Sequence, residues 1–185
     1  MDKGLVIVTI ACVVMLAFFV GYQLSIEDLP NDNSTNGGDG WDSSIVVDMT
    51  LKGDSIEVSN SYPVAVEGSR ATILFGGIYE ITGSLTDGQI AVYTTDKDPV
   101  RLILNGVNIN CSTSAAISIM DAEETFIILA DGTENFIGDA ETYIYDGSSE
   151  DEPNAAIFCK SDLTILGNGV LNVVGNYNDG VASKD

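Results

Sequence analysis

Apolar residues are distributed along this chain in two distinct ways. Residues 5–20 form a run broken only by Thr9, and extending it to Leu24 gives 20 residues, about the length of a helix spanning a bilayer core of ~30 Å. From Ile45 onward the apolar runs become short and alternate with Gly, Asn and Asp: I-V-V-D-M, S-I-E-V, A-T-I-L-F, I-Y-E-I, Q-I-A-V-Y, V-R-L-I-L, A-I-S-I, T-F-I-I-L, A-I-F, L-T-I-L and V-L-N-V-V. β-Branched and aromatic residues dominate them, which is the mark of short strands separated by turns. No amphipathic helical period follows residue 25, so an all-β domain is expected.

Three segments result. Residues 1–24 read as a membrane anchor or signal segment, with Lys3 before the apolar run and Glu27, Asp28 and Asp32 after it. That asymmetry favours the amino terminus inside and the remainder outside. A cleaved signal peptide is the rival reading, although no A-x-A-like site closes the run. Either way the expected location is extracellular: tethered through the membrane by the N-terminal helix, or secreted if the segment is removed. Residues 25–44 lack Lys and Arg and are dense in Asn, Asp, Gly and Ser. Such a stretch cannot bury enough apolar area to repay its ordering entropy, so it reads as a flexible acidic linker. Residues 45–185 form the domain.

The domain repeats itself. Asn154-Ala155-Ala156-Ile157-Phe158-Cys159-Lys160-Ser161-Asp162 is echoed by Asn178-Asp179-Gly180-Val181-Ala182-Ser183-Lys184-Asp185, an offset of 24 residues. Ser114-Ala115-Ala116-Ile117-Ser118-Ile119 is an earlier copy, set off by an insertion near residues 139–153. A unit of about this length built from short strands and turns suits one coil of a parallel β-helix. Stacked coils would place Ile117, Ile157 and Val181 in one inward ladder, and Ile119, Cys159 and Ser183 in the next. An Ig-like sandwich also supplies many short strands, but it does not predict the repeat. The last repeat is cut short, so the sequence is expected to continue in a longer protein.

Composition narrows the chemistry. With 7 Lys and Arg against 28 Asp and Glu, the formal net charge is −21, and His is absent. A phosphate backbone needs cations to neutralise it, so nucleic acid is not an expected partner. Without His there is no Ser-His-Asp triad and no His-based zinc site. A metal held here would be a hard cation on oxygen ligands, which points to calcium. Eleven acidic residues and no basic one fall within residues 121–152.

Five blocks occur in order: T-D-G-Q-I at 86–90, D-K-D-P-V-R-L-I-L-N-G-V-N-I at 96–109, I-I-L-A-D-G-T-E-N at 127–135, E-D-E-P-N-A-A-I-F-C-K-S-D-L-T-I at 150–165 and G-N-Y-N-D-G-V-A-S-K-D at 175–185. Over residues 45–185 the chain resembles the carbohydrate-binding, calcium-containing parallel β-helix family, long called a domain of unknown function. The resemblance implies a right-handed β-helix, bound Ca2+ and pectin-type or polygalacturonate ligands, with binding and no established catalysis. The chain departs from the family in its shortened C-K-S-D block and in lacking the later coils.

Turns rich in Asp, Asn and Gly offer calcium the carboxylate, carboxamide and carbonyl oxygens it takes. The candidate metal ligands are Asp151, Glu152 and Asn154 leading one coil, Asn178 and Asp179 leading the next, and Asp162 and Asp185 after the following strands. The same residues also read as turn formers on a solvated acidic face. Tyr143, Tyr145 and Tyr177 are candidate exposed aromatics for stacking on sugar rings. Lys160 and Lys184 recur in register, either to meet a sugar carboxylate or to pair with Asp162 and Asp185. Cys111 and Cys159 could pair in an oxidising exterior, whereas the ladder position of Cys159 suits a small buried apolar group.

The leading function is calcium-dependent binding of an acidic polysaccharide, without catalysis. A calcium-dependent polysaccharide lyase is the enzymatic alternative, with Arg70, Arg101, Lys160 or Lys184 as the base. A structural surface protein or adhesin is the third.

Overall fold

Alternation between core and solvent sets the strands. Along Val46–Gly53 the side chains of Val47, Met49 and Leu51 are buried while Val46, Asp48 and Thr50 face outward, the period of two that a pleated strand imposes. The computed structural model describes residues 45–144 and 153–184. Among them the regular elements are strands: β1 (Val46–Gly53), β2 (Ile56–Val58), β3 (Val64–Glu67), β4 (Arg70–Ile73), β5 (Gly77–Leu85), β6 (Gln89–Tyr93) and β7 (Val100–Asn110). They continue with β8 (Ile117–Asp121), β9 (Glu124–Leu129), β10 (Glu134–Gly138), β11 (Ala155–Cys159), β12 (Asp162–Gly167), β13 (Val170–Val174) and β14 (Asp179–Ser183).

The described strands form two sheets. One follows the order β12-β9-β7-β5-β1-β2, with β10 and β13 attached through β7, and the other runs β14-β11-β8-β6-β4-β3. Their inner faces share one apolar core, with Met49, Tyr79, Ile81, Leu102, Leu104 and Ile127 from the first and Ile73, Ile90, Val92, Ile117, Ile119 and Ile157 from the second. Fully burying an aliphatic side chain of this size contributes about 1.5–3 kcal/mol. Ile117, Ile157 and Val181 stand in register, as do Ile119, Cys159 and Ser183. Leu102 lies opposite Ile127.

The expected right-handed parallel β-helix is corrected by this architecture, although the all-β class is the one observed. The two sheets are mixed and lie together in a sandwich-like arrangement. β1 pairs antiparallel with β2, and β3 with β4. The short turns at Gly53 (φ +79°) and Gly68 (φ +61°) reverse the chain, because so few residues cannot carry a crossover to a parallel neighbour. Nor is the 24-residue spacing general: the register partners Ile90, Ile117, Ile157 and Val181 are separated by 27, 40 and 24 residues. β7 is also divided. Its first half pairs with β9 and its last three residues with β10, on either side of a bulge at Asn105 and Gly106 (φ +73°).

The stretch after β10 folds back onto the second sheet. Ala115, Ala140, Tyr143 and Phe158 make a smaller apolar cluster, so every residue of β11 is buried. Cys111 and Cys159, whose pairing the sequence left open, are both buried and are not joined in a disulfide. The expected anchor or signal segment (1–24) and linker (25–44) lie outside the described residues, among which no helix is long and apolar enough to cross a membrane.

A corner between strands carries one pH-dependent contact. Asp87 accepts hydrogen bonds from the Ser112 backbone N–H and hydroxyl, both at 2.8 Å. The backbone donor first, then the hydroxyl, hold its carboxyl below the usual carboxylate range near 3.8. A carboxyl depressed on folding stabilises fully above its unfolded pKa, and that contribution is lost as pH falls through the folded value. The urea midpoint of D87N is therefore expected to lie below that of the wild type at pH 7, with the gap closing as pH drops below about 4. A gap independent of pH would show that the Ser112 contact has no electrostatic part.

Candidate functional site

β7, β10 and β13 run parallel beyond the bulge, and their alternation turns one row of side chains outward. Val107 and Ile109 point into the core while Asn108 and Asn110 face solvent. Phe136 stands opposite Asn108 on one side and Asn172 on the other. The result is an aromatic ring, 43% exposed, between two carboxamides one strand spacing away on each side. In the next row Gly138 lies between Asn110 and Val174. A Cβ on Gly138 would come 2.8 Å from Asn110 Oδ1, so glycine leaves the carboxamide its place.

These rows line a shallow groove of about 310 Å³ that also includes Ile137 and Asn176. Its carboxamides are oriented. Asn110 donates to Asn108 Oδ1 at 3.1 Å, and Asn172 donates to Glu134 Oε1 at 3.2 Å. A carboxamide holds two donors and two acceptor lone pairs, so each keeps hydrogen-bonding capacity beyond these contacts.

The groove ends at a polar corner built on Asp139. This carboxylate, 6% exposed, accepts from the Asn176 backbone N–H, while its own carbonyl accepts from Asn176 Nδ2 at 2.8 Å. Tyr143 Oη lies 2.7 Å from Asp139 Oδ2 and 2.9 Å from the Ala155 carbonyl. The Tyr143 ring is buried and stacks on Tyr177, with centroids 4.3 Å apart. Tyr143, expected to be exposed, thus backs Tyr177, which is 41% exposed.

Several of the residues singled out from sequence meet beside this corner. Asp179 lies opposite Ala155, and its N–H donates to the Asn154 carbonyl at 3.2 Å. Asn178 Nδ2 donates to Asp179 Oδ2 at 2.9 Å. Asn154 Oδ1 is buried without a hydrogen-bond partner, an acceptor removed from water and left unsatisfied. Lys160, Asp162 and Lys184 are elsewhere. They follow β11 and β14, whose opposite ends Asn154 and Asp179 mark, and the five residues of β11 span about 16 Å at ~3.3 Å each. Asp162 there faces Glu124 across β12 and β9. Tyr145, Asp151, Glu152 and Asp185 lie outside the described residues. Among the described residues no three Asp, Glu or Cys side chains converge as a metal site.

Asn108, Asn110, Phe136, Asn172 and Asn176 were not anticipated from sequence. The available signal was N-x-N at 108–110 inside an apolar alternation, where asparagine on a strand is unusual enough to ask what it faces.

Comparison with known proteins gives a consistent set of relatives. Residues 67–185 match the family described as carbohydrate-binding domain-containing protein. A protein of that description from Acetivibrio thermocellus is 37% identical over 137 residues, covering 74% of this chain and 48% of the relative. A solved structure, described as the polysaccharide lyase-like protein from C. thermocellum in a gadolinium derivative, superimposes with a TM-score of 0.72 at 35% identity, covering 75% of this chain and 56% of that one. The chain spans about half the length of the relatives it matches.

Proposed function

This chain belongs to the carbohydrate-binding domain-containing family, and from that premise we propose that the Asn-lined groove is its polysaccharide site and that the ligand is acidic and held with the help of calcium. The observation that carries the groove is Phe136 flanked in register by Asn108 and Asn172. Sugar rings present apolar C–H faces and a rim of hydroxyls. An exposed phenyl ring covers the first, and carboxamides donate to and accept from the second. Exposed Tyr177 extends the aromatic surface past Asn176.

An acidic ligand raises an electrostatic objection, since a chain of net charge −21 repels a polyuronate. Calcium supplies positive charge between protein and sugar carboxylates when bound. The support for a site at the corner is the orphaned Asn154 Oδ1, because a buried acceptor without a donor is costly unless a ligand completes it. Asn154 and the Asp179 carboxylate are the described residues that would hold the ion, with Asn178 beside them and Asp151 and Glu152 preceding in the chain. The proposal assigns binding and no catalytic step, and it places the module outside the cell on the strength of the apolar run at residues 5–24.

The test is retardation of the protein in native gels containing polygalacturonate, with calcium or with a chelator. Retardation that the chelator abolishes is the expected result; retardation that survives the chelator removes calcium from the mechanism. Absence of retardation on any polysaccharide rejects the binding reading. Thermal unfolding gives a second readout. Calcium is expected to raise the Tm of the wild type, as any ligand of the native state does. In N154A that rise should be lost, while calcium-free stability stays equal to the wild type or exceeds it by up to ~1 kcal/mol, since the unsatisfied oxygen is gone.

A further inference from the structure

The bulge in β7 decides which side chains reach the groove. Before it the even-numbered residues Leu102 and Leu104 face the core, and after it the odd-numbered residues Val107 and Ile109 do. An unbroken period of two would turn Asn108 and Asn110 inward. The extra residue turns them out. It also resets the pairing with β5, so that Ser84 stands opposite Asn108. The bulge is fixed from beneath, because buried Asn135 Oδ1 accepts from the N–H groups of Gly106 and Val107. A Cβ on Gly106 would meet nothing within 4 Å, so the surface beside Asn108 stays open.

Ser84, Asn108, Phe136 and Asn172 thereby form one outward row across β5, β7, β10 and β13. Four neighbouring strands set its ends about 14 Å apart, more than one sugar ring covers. We propose that the polysaccharide runs across these strands and that Ser84 is a further sugar-binding residue at the β5 end of its path. The inference rests on the reading of the Asn-lined groove as the polysaccharide site. Ser84 is exposed, and its hydroxyl both donates and accepts, as sugar hydroxyls require. A row held at one height by the pleat suits an extended chain, whereas a single sugar would need only Phe136 and its two carboxamides. The row carries no charge, so it reads ring faces and hydroxyls and leaves the sugar carboxylates to calcium. Past Ser84 it meets Lys52, which is paired with Glu57 at 2.6 Å, and there the uncharged surface ends. The ligand is thus engaged along an internal stretch of the polymer, and its length sets the affinity.

The experiment is titration calorimetry of wild type, S84A and S84L with the disaccharide and the hexasaccharide of galacturonate, at constant calcium, beside thermal unfolding of each variant. The wild type is expected to bind the hexasaccharide at least about tenfold more tightly than the disaccharide, because the longer chain fills the outer position as well. S84A removes one hydrogen-bonding group and should weaken hexasaccharide binding about threefold. S84L places a branched side chain in the path and should weaken it about tenfold. Both variants should bind the disaccharide, seated on Phe136, as the wild type does, and both should keep the wild-type Tm, since the position faces solvent. Equal hexasaccharide affinities for wild type, S84A and S84L overturn the proposal and confine the ligand to the groove. Equal losses on both oligosaccharides overturn it as well, because they assign Ser84 to the structure of the groove. Failure of the wild type to bind either oligosaccharide rejects the acidic-ligand reading itself, and the role of Ser84 falls with it.

Discussion

Replacing Asn135 by leucine is expected to lower folding stability by roughly 3–5 kcal/mol, a large share of the ~5–15 kcal/mol that holds a domain folded. Asn135 is fully buried, and its carboxamide is saturated. Oδ1 accepts from the backbone N–H groups of Gly106 and Val107, each at 3.0 Å. Nδ2 donates to Thr133 Oγ1 at 3.2 Å and to the Val170 carbonyl at 3.1 Å. One side chain thus ties together the bulge that divides β7, the turn before β10 and the start of β13. Leucine has nearly the same volume, so the loss comes from the stranded backbone groups more than from a cavity.

N135D separates hydrogen bonding from shape. Aspartate keeps the acceptors for Gly106 and Val107 but has no donor for Val170 while ionised. Burial raises its pKa, so this variant should regain stability as pH falls and the carboxyl protonates. Urea unfolding of both variants at pH 7 and pH 4 is the measurement. A loss below ~1 kcal/mol in N135L would show that water or a shifted backbone satisfies these groups at little cost.

Asn135 also shows where sequence reading stops. It closes the D-G-T-E-N stretch, and a polar residue after Asp-Gly reads as a turn former. Nothing in its neighbours announces a buried bridge to Gly106 and Val170, which lie 29 and 35 residues away. Asn108 and Asn172 were passed over for the same reason: asparagine belongs to turns by propensity, and a strand that presents it to a groove overrides that propensity through tertiary pairing. The ladders were legible because they follow from alternation plus an offset. Ile117, Ile157 and Val181 could be aligned before any strand was placed, and the same offset put Asp179 against Ala155.

The sheet architecture was less legible. The turns at Gly53 and Gly68 look like any corner between strands, and only pairing reveals that the chain reverses at them. The acidic run was legible as composition, not as chemistry. Among the described residues its carboxylates are not gathered into one site. Glu123 pairs with Lys97, Asp131 and Glu134 accept from Asn168 and Asn172, and Asp139 is buried beneath Tyr143 and Asn176. Among the described residues, repulsion along the run is relieved by Lys97 and by carboxamides supplied from distant parts of the chain, which no local window contains.

The binding surface makes the second large prediction. F136A is expected to weaken polysaccharide binding by at least about thirtyfold, the ~2 kcal/mol scale of a central aromatic contact, while changing folding stability by less than ~1 kcal/mol. The asymmetry follows from position. The ring is 43% exposed, so the fold loses little when it goes, whereas a sugar stacked on it loses its only broad apolar contact between the two carboxamides. N108A and N172A should each cost a smaller factor, about three- to tenfold, because a hydroxyl released by one carboxamide can return to water. If Phe136 and Asn172 contact the same ring, the double variant F136A/N172A will lose less than the product of the single losses. Titration calorimetry with soluble oligosaccharides, run beside urea unfolding of each variant, separates binding from folding. Wild-type affinity in F136A would move the site off this groove, and a parallel fall in stability and affinity would make Phe136 a structural residue.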